Sequence, residues 1–212
     1  ATPTVEARAD MASSRLHTGV ETPRLGVEAF RVLREVVSEH SGIELSLDQI
    51  TSVERRLRDR LSMAGAESFG EYVRLLRADP LAKAELDEAI DALTTNETYF
   101  HREAYQLRAF RDEVIPLLAR QAAQRRRLAI WSAGCSTGEE VYTLATILLE
   151  AQELSGWDLQ VFGSDISKRC IAHARRGLYG AGAFRTTSPE DRRRWFVERP
   201  GGYLVHERVR QL

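Results

Sequence analysis

Residues 128–140 read LAIWSAGCSTGEE and carry the strongest structural signal in the chain. An apolar run from Leu128 to Trp131 is followed by a turn of small residues that includes Gly134 and Gly138, and a helical pattern begins directly after it. A strand that leads into a glycine turn and then a helix is the ligand-binding unit of parallel α/β folds. Glycine lets the backbone approach a ligand closely, because it has no Cβ atom. The sequence therefore predicts a binding site at this turn, with Gly134 in contact with the ligand.

The residues that follow the turn indicate the charge of the ligand. Glu139 and Glu140 stand where a phosphate site would offer bare amides and a lysine, and two carboxylates would repel a phosphate. The next apolar run, DLQVFGSD (158–165), ends in Asp165, and an acidic residue at this place in such a unit binds ribose hydroxyls. These features favour a nucleoside with a cationic tail, such as S-adenosylmethionine. The alternative is a generic α/β turn with solvated acids, because a lone glycine motif is a weak signal.

Composition excludes several classes of protein. The chain has 212 residues, a hydrophobic content of 43% and a net charge of −1, which fits a packed core with no global attraction to nucleic acid or membrane. No segment approaches the roughly 18 apolar residues of a membrane-spanning helix, and no signal peptide is evident. The two cysteines and five histidines lack the spacing of a metal site or a disulfide framework. We therefore expect a cytoplasmic protein without a metal, without nucleic-acid binding and without membrane insertion.

Periodicity divides the chain into successive segments. Residues 1–24 are polar and aperiodic and are predicted to be a flexible tail, and residues 25–93 carry four helical stripes and no strand signal. The fourth helix is expected to open at Asp79-Pro80. Residues 94–127 are predicted to be a linker and a long helix, whose buried stripe comprises Leu107, Phe110, Val114, Leu117 and Leu118.

The remainder of the chain is predicted to form a β-α-β-α segment, followed by a short helix and a strand. Strands at 128–133 and 159–164 alternate with helices at 138–152 and 167–176, an order that predicts a parallel sheet with right-handed crossovers. Trp131 and Trp157 are expected in its core. After residue 182, Ser188-Pro189 starts a short helix, and the alternation from Tyr203 to Val209 predicts a strand.

Four motifs carry a resemblance to a known family. TTNETYFHRE (94–103), IWSAGCSTGEEVYTLA (130–145), VFGSDIS (161–167) and ARRGLYG (174–180) closely resemble the chemotaxis receptor methyltransferases of the CheR type, in the same order and spacing. This resemblance implies transfer of a methyl group from S-adenosylmethionine to glutamate side chains on bacterial chemoreceptors. It also implies the fold class: an all-α N-terminal domain, then a Rossmann-like methyltransferase domain whose front part is residues 128–182, with the start of an antiparallel β-subdomain in 183–212.

The resemblance also implies roles for individual residues. Cofactor contacts fall on Asn96, Thr98, Arg102, Glu139 and Asp165, with Glu139 on the methionyl ammonium and Asp165 on the ribose. Arg102 is expected near the methionyl carboxylate or the acceptor, as a positioning residue in catalysis.

The helical domain of the family docks to receptors, and here ERRLRDR (54–60) presents Arg55, Arg56 and Arg60 for that role. The alternative for these arginines is a solvated helix face with local ion pairs. The expected partner is the cytoplasmic domain of a chemoreceptor.

The chain also departs from the family pattern. His101 replaces an aromatic residue and Val141 replaces a proline, and the segments that the family carries after the β-subdomain are missing. The methyltransferase domain is therefore expected to be incomplete, with an unpaired sheet edge that favours self-association. A rival hypothesis is a non-catalytic module that keeps cofactor sensing or receptor docking. Cys135 lies inside the glycine turn without a partner base, so a small buried thiol is favoured over a nucleophile.

Overall fold

Four helices form the first unit of the chain. In the computed structural model, which describes residues 23–78 and 82–212, these are α1 (Val27–Ser41), α2 (Ile50–Met63), α3 (Phe69–Ala78) and α4 (Lys83–Leu93), with a 3₁₀ turn at Leu47–Gln49 before α2. Residues 1–22 of the tail expected at residues 1–24, and the helix start expected at Asp79-Pro80, lie outside the described residues.

Local hydrogen bonds define the ends of these helices. Gly42 ends α1 in the left-handed conformation, with φ at 72°, and its amide donates to the Ser38 carbonyl. Ser68 caps α3, because its hydroxyl accepts from the Glu71 amide at 3.2 Å. The apolar stripes meet in one core, whose fully buried members include Phe30, Leu33, Val37, Leu57, Tyr72 and Ile90.

A continuous helical segment joins the two units, and its middle turn corrects one prediction. It consists of α5 (Ala104–Ala109), a π-helical turn (Phe110–Val114) and α6 (Ile115–Gln121). The wider turn adds one residue between the buried positions, so Ile115 is buried where Val114 was expected. Val114 and Leu117 are exposed, so the predicted stripe is wrong at these two positions, whereas Leu118 packs half-buried against the core.

The second unit contains the predicted β-α-β-α order. It runs through β1 (Arg127–Ala133), α7 (Glu139–Glu150), β2 (Asp158–Ser164) and α8 (Lys168–Arg176), with a 3₁₀ turn at Gln152–Leu154. The strands are parallel, in a register from Arg127↔Asp158 to Ala133↔Ser164. Helices α6 and α7 cover one face of this sheet, with a core that includes Ile115, Leu128, Ile147, Leu148 and Leu154.

The opposite face of the sheet is open to solvent. Trp131 and Phe162, which are partners in the register, are both exposed, and the Trp131 side chain is 69% exposed. The expectation that Trp131 belongs to the core is wrong, because its side chain points to this uncovered face; Trp157 is half-buried against the other core. At the outer edge of β2 the Val161 amide donates to the Leu212 carbonyl at 2.9 Å. Self-association through a sheet edge stays a prediction.

A small antiparallel sheet follows. Strands β3 (Leu178–Tyr179), β4 (Phe196–Arg199) and β5 (Gly202–Val205) lie in the order β3-β5-β4, with a 3₁₀ turn at Ala181–Phe184 and helices α9 (Pro189–Trp195) and α10 (Glu207–Arg210). Ser188 caps α9 as expected. Trp195 is buried and packs in the core of this unit.

The strand predicted from Tyr203 to Val209 ends early. The chain leaves β5 after Val205, and His206 begins α10 by accepting the Arg208 amide at its ring. This turn lets Val205 and Val209, four residues apart, enter the same core. The fold class is nevertheless confirmed: an all-α unit precedes a Rossmann-like α/β unit that carries an antiparallel sheet.

Candidate functional site

A cleft of about 630 Å³ lies at the carboxyl ends of the parallel strands, between the glycine turn, α7 and the segment that follows α4. Its volume falls in the range of about 300–1,000 Å³ that is typical of small-molecule sites. Its position is also the one at which parallel α/β sheets bind ligands. The residues that line it are Thr95, Asn96, Glu97, Thr98, Tyr99, Arg102, Glu103, Gln106, Leu107, Phe110, Gly134, Cys135, Ser136, Glu140, Thr143, Leu144 and Asp165.

The glycine turn is held by backbone hydrogen bonds to the end of β2. The amides of Gly134 and Cys135 both donate to the Ser164 carbonyl, at 2.8 and 2.9 Å. Ser136 has a φ of 49°, an unfavourable conformation for a residue with a side chain, and such strain concentrates at binding sites. Its hydroxyl donates to the Asn96 carbonyl at 3.1 Å, so the turn is tied to the segment on the far side of the cleft.

Asp165 occupies the position predicted for it, at the end of β2 and on the cleft. Its Oδ2 accepts from the Ser136 amide at 2.7 Å, and its Oδ1 accepts from the Ser167 amide at 2.9 Å. Two backbone donors thus fix the orientation of the carboxylate. Each carboxylate oxygen has a second lone pair, so the group can still accept hydrogen bonds from two neighbouring hydroxyls.

The two glutamates at the start of α7 have different environments. Glu140 lines the cleft, and its Oε1 accepts from the Ser132 hydroxyl at 2.7 Å. Glu139 is turned inward and only 4% exposed, with Oε2 accepting from the Thr137 hydroxyl at 2.6 Å. Glu139, for which the resemblance implied contact with the ammonium group, does not line the cleft, and a ligand there would meet Glu140 instead. Helical spacing could have identified Glu140 from the sequence, because Thr143 and Leu144 follow it by three and four residues. These three residues share the face of α7 that lines the cleft.

The segment after α4 supplies the other side of the cleft. Asn96, Thr98 and Arg102 all line it, as the resemblance implied. The Arg102 guanidinium donates to the Glu97 carbonyl at 2.6 Å, which holds its positive charge beside the cleft. His101, at a φ of 58°, is half-buried under this segment, and burial lowers the pKa of its imidazole.

Sequence reasoning missed the apolar part of the lining. Leu107 and Phe110 were assigned to the buried stripe of the long helix, and the structure places both on the cleft. Leu144 and Tyr99 add further apolar surface. Helical periodicity locates such side chains on an inward face, but it cannot distinguish a packed core from a cleft.

These groups fit S-adenosylmethionine. Asp165 suits ribose hydroxyls, Glu140 suits an ammonium group and Arg102 suits a carboxylate, while Leu107, Phe110 and Leu144 offer apolar contact area for a base. The carboxylates and the guanidinium stand on different elements around the cleft, as a zwitterionic tail requires. No group of three or more metal-ligating side chains occurs in residues 23–78 and 82–212.

Cys135 is a buried thiol at the base of the turn. Burial raises its pKa to about 11, and the charge of nearby Asp165 adds to the shift. Because the thiolate is the reactive form, we expect iodoacetamide to label Cys135 in the folded protein at least about tenfold more slowly than in guanidinium chloride at pH 8. Peptide mass spectrometry would measure this separately from Cys170. Equal rates in the two states would contradict the buried, protonated thiol.

The arginines expected to dock a receptor are not equivalent. Arg56 donates to the carbonyls of Leu93 and Thr94, at 2.7 and 3.1 Å, and so caps the C-terminus of α4. Arg60 forms an ion pair with Glu85, which also accepts from the Tyr72 hydroxyl at 2.7 Å. Arg55 is exposed.

None of the helices in the described part of the chain is long and apolar enough to span a membrane.

Comparison with known families assigns both units of the chain. Residues 28–94 match the family described as "CheR methyltransferase, all-alpha domain". Residues 96–212 match "CheR methyltransferase, SAM binding domain". The second match includes the glycine turn, Asp165 and the segment 96–103 that lines the cleft.

Curated relatives agree with this assignment. The chemotaxis protein methyltransferase of Salmonella typhimurium is 36% identical over 183 residues, which cover 86% of the chain and 60% of that relative. The corresponding protein of Escherichia coli is 33% identical, with 86% and 61% covered. A probable chemotaxis protein methyltransferase of Rhizobium etli is 35% identical, with 84% and 68% covered. The chain thus spans about 60% of the length of the enterobacterial relatives. These matches, which include the residues that line the cleft, show that the chain belongs to the CheR methyltransferase family.

Proposed function

We propose that the chain binds S-adenosylmethionine in the cleft and takes part in methylation of glutamate side chains on bacterial chemoreceptors. The observation that supports this most is the placement of Asp165, Glu140 and Arg102 around one cleft in the part of the chain that matches the SAM-binding domain. In this proposal Asp165 binds the ribose and Glu140 the methionyl ammonium. Asn96 and Thr98 add polar contacts, and Gly134 allows close approach of the backbone.

The proposed reaction needs few catalytic groups. S-adenosylmethionine supplies a methyl group bound to a cationic sulfur. A glutamate acceptor has a pKa near 4.3 and is already ionised at neutral pH, so no residue has to remove a proton. One carboxylate oxygen forms the new bond to the methyl carbon, and the electrons of the broken carbon–sulfur bond stay on sulfur. The contribution of the chain is alignment, with Arg102 as a positioning residue that binds the methionyl carboxylate of the cofactor.

Transfer of a labelled methyl group tests this function. The chain would be incubated with tritiated S-adenosylmethionine and the cytoplasmic domain of a chemoreceptor, and methyl esters would be measured as methanol released by alkali. Alkali-labile label that is lost in Asp165→Ala supports the proposal. Cofactor binding without transfer would favour the non-catalytic module instead. Absence of both binding and transfer would contradict the proposed function.

Receptor docking through α2 makes a narrower prediction. Arg55→Glu is expected to raise the KM for the receptor by about fivefold and to leave the melting temperature unchanged, since an exposed charge contributes about 0.2–1 kcal/mol. Arg56 and Arg60 are unsuitable probes, because both stabilise the helical unit. Arg193→Glu, at an exposed arginine of α9, is the matched charge reversal. Equal KM values for the Arg55 and Arg193 variants would contradict docking through α2.

A further inference from the structure

Two ion pairs connect the helical unit to the start of α8. Lys168 Nζ lies 2.7 Å from Asp87 Oδ2, and Arg169 lies 2.9 Å from Asp91 Oδ2. Both acids belong to α4, one turn apart, and both cations belong to the first turn of α8. Asp87 Oδ1 also lies 3.0 Å from His40 Nε2, so its carboxylate links α1 as well.

The first turn of α8 is structurally continuous with Asp165. The Asp165 Oδ1 atom accepts from the Ser167 amide, and the Ser167 hydroxyl accepts from the Cys170 amide at 3.0 Å. Ser167 is fully buried. Residues 165–170 are therefore one hydrogen-bonded segment, with the cleft at one end and the two cations on its outer side.

The same helix α4 also anchors the opposite side of the cleft. The Thr94 hydroxyl donates to the Asp91 carbonyl at 2.8 Å and accepts from Asn96 Nδ2 at 3.2 Å. The Asn96 carbonyl in turn accepts from the Ser136 hydroxyl. Helix α4 thus contacts both the segment that carries Asn96 and the segment that carries Asp165.

We propose that Arg169 and Lys168 are positioning residues, which through Asp91 and Asp87 hold Asp165 in its binding orientation against the helical unit. This inference rests on the proposed function as far as the cofactor is concerned. Its structural part, that α4 restrains residues 165–170, stands independently of the ligand.

The two pairs differ in strength. Asp91 is only 13% exposed, and its Oδ1 atom is buried without a hydrogen-bond partner in the described part of the chain. Loss of Arg169 would leave this carboxylate unpaired in a poorly solvated place, which costs more than loss of a surface pair. Lys168 is 85% exposed, so salt screens its pair with Asp87. The larger effect is therefore expected at Arg169.

Hydrogen exchange and calorimetry on the same variants test the proposal. In the ligand-free chain, Arg169→Ala is expected to accelerate amide exchange in residues 165–170 by about tenfold. In calorimetric titration, the same variant is expected to raise the Kd for S-adenosylhomocysteine by about tenfold. Arg169→Lys should recover part of both changes. Arg176→Ala, at an exposed arginine near the other end of α8, is the control and should match the unmodified chain.

A double variant separates positioning from general destabilisation. If Asp91 acts through Arg169, then Arg169→Ala combined with Asp91→Asn should bind no more weakly than Arg169→Ala alone. Unchanged exchange in residues 165–170 of Arg169→Ala would overturn the inference. Faster exchange in Arg169→Ala, together with no binding of S-adenosylhomocysteine by the unmodified chain, would support the restraint by α4 but contradict the cofactor site. Failure of the inference and failure of the proposed function are therefore distinguishable.

Discussion

Glu140→Gln is expected to weaken binding of S-adenosylhomocysteine by about 100-fold. The side chain lines the cleft and is oriented by the Ser132 hydroxyl, so its charge is available to the ammonium group of the ligand. A hydrogen bond to a charged partner contributes about 1.5–3 kcal/mol, which corresponds to roughly 10- to 150-fold in affinity. Glutamine keeps the size of the side chain and removes only the charge. Calorimetric titration of the variant measures the change directly.

The neighbouring glutamate provides the control. Glu139→Gln should change the affinity by less than about threefold, because Glu139 faces the interior and its Oε2 atom accepts from Thr137. A Glu139→Gln variant that loses binding while Glu140→Gln retains it would reverse the assignment of the two residues. Circular dichroism would verify that both variants are folded.

Gly138→Ala is expected to lower the free energy of unfolding by about 3 kcal/mol. Gly138 has a φ of 95°, and a methyl group there would lie 2.6 Å from Ala174 Cβ and 3.2 Å from Ala174 Cα. The backbone conformation costs a residue with a side chain about 1–2 kcal/mol, and the overlap with α8 costs about 1–3 kcal/mol. The overlap involves helix backbone, so it cannot be relieved by a rotamer change. Urea unfolding followed by circular dichroism measures the difference.

Gly134→Ala is the matched substitution in the same turn. Gly134 has a φ of 77°, but no atom lies within 4 Å of the position of an added Cβ. Only the conformational cost of about 1–2 kcal/mol is expected. Equal stabilities of the two variants would show that the close packing of the turn against α8 is unimportant.

Features that depend on a local sequence pattern could be predicted from the sequence alone. The strand, glycine turn and helix of residues 127–150 and the acid at the end of β2 have the predicted order, because each signal is contained in a few adjacent residues. The position of Asp165 on the cleft follows from the parallel pairing of β1 and β2, which brings both carboxyl ends to one edge.

Features that depend on the rotation of a helix were harder to predict. A choice between Glu139 and Glu140 requires the exact angle at which α7 meets the turn, and the conformation of Gly138 sets that angle. The π-helical turn at Phe110–Val114 likewise causes the side chain of Ile115, rather than that of Val114, to be buried. The residue types within this turn do not predict a π-helix.

Tertiary context decided two further cases. Trp131 has a strand pattern typical of a core, but the sheet face to which it points is open to solvent. The alternation from Tyr203 to Val209 resembles a strand, yet packing of Val209 beside Val205 favours the short helix α10. Strand preference depends strongly on context, so alternation alone could not determine this end of the sheet.

Calorimetric titration of the 212-residue chain with S-adenosylhomocysteine tests directly whether the cleft binds the cofactor. We expect saturable binding at one site per chain, abolished in Asp165→Ala and strongly weakened in Glu140→Gln. A folded chain that releases or absorbs no heat, and whose melting temperature the ligand does not raise, would contradict the claim that this cleft is a cofactor site.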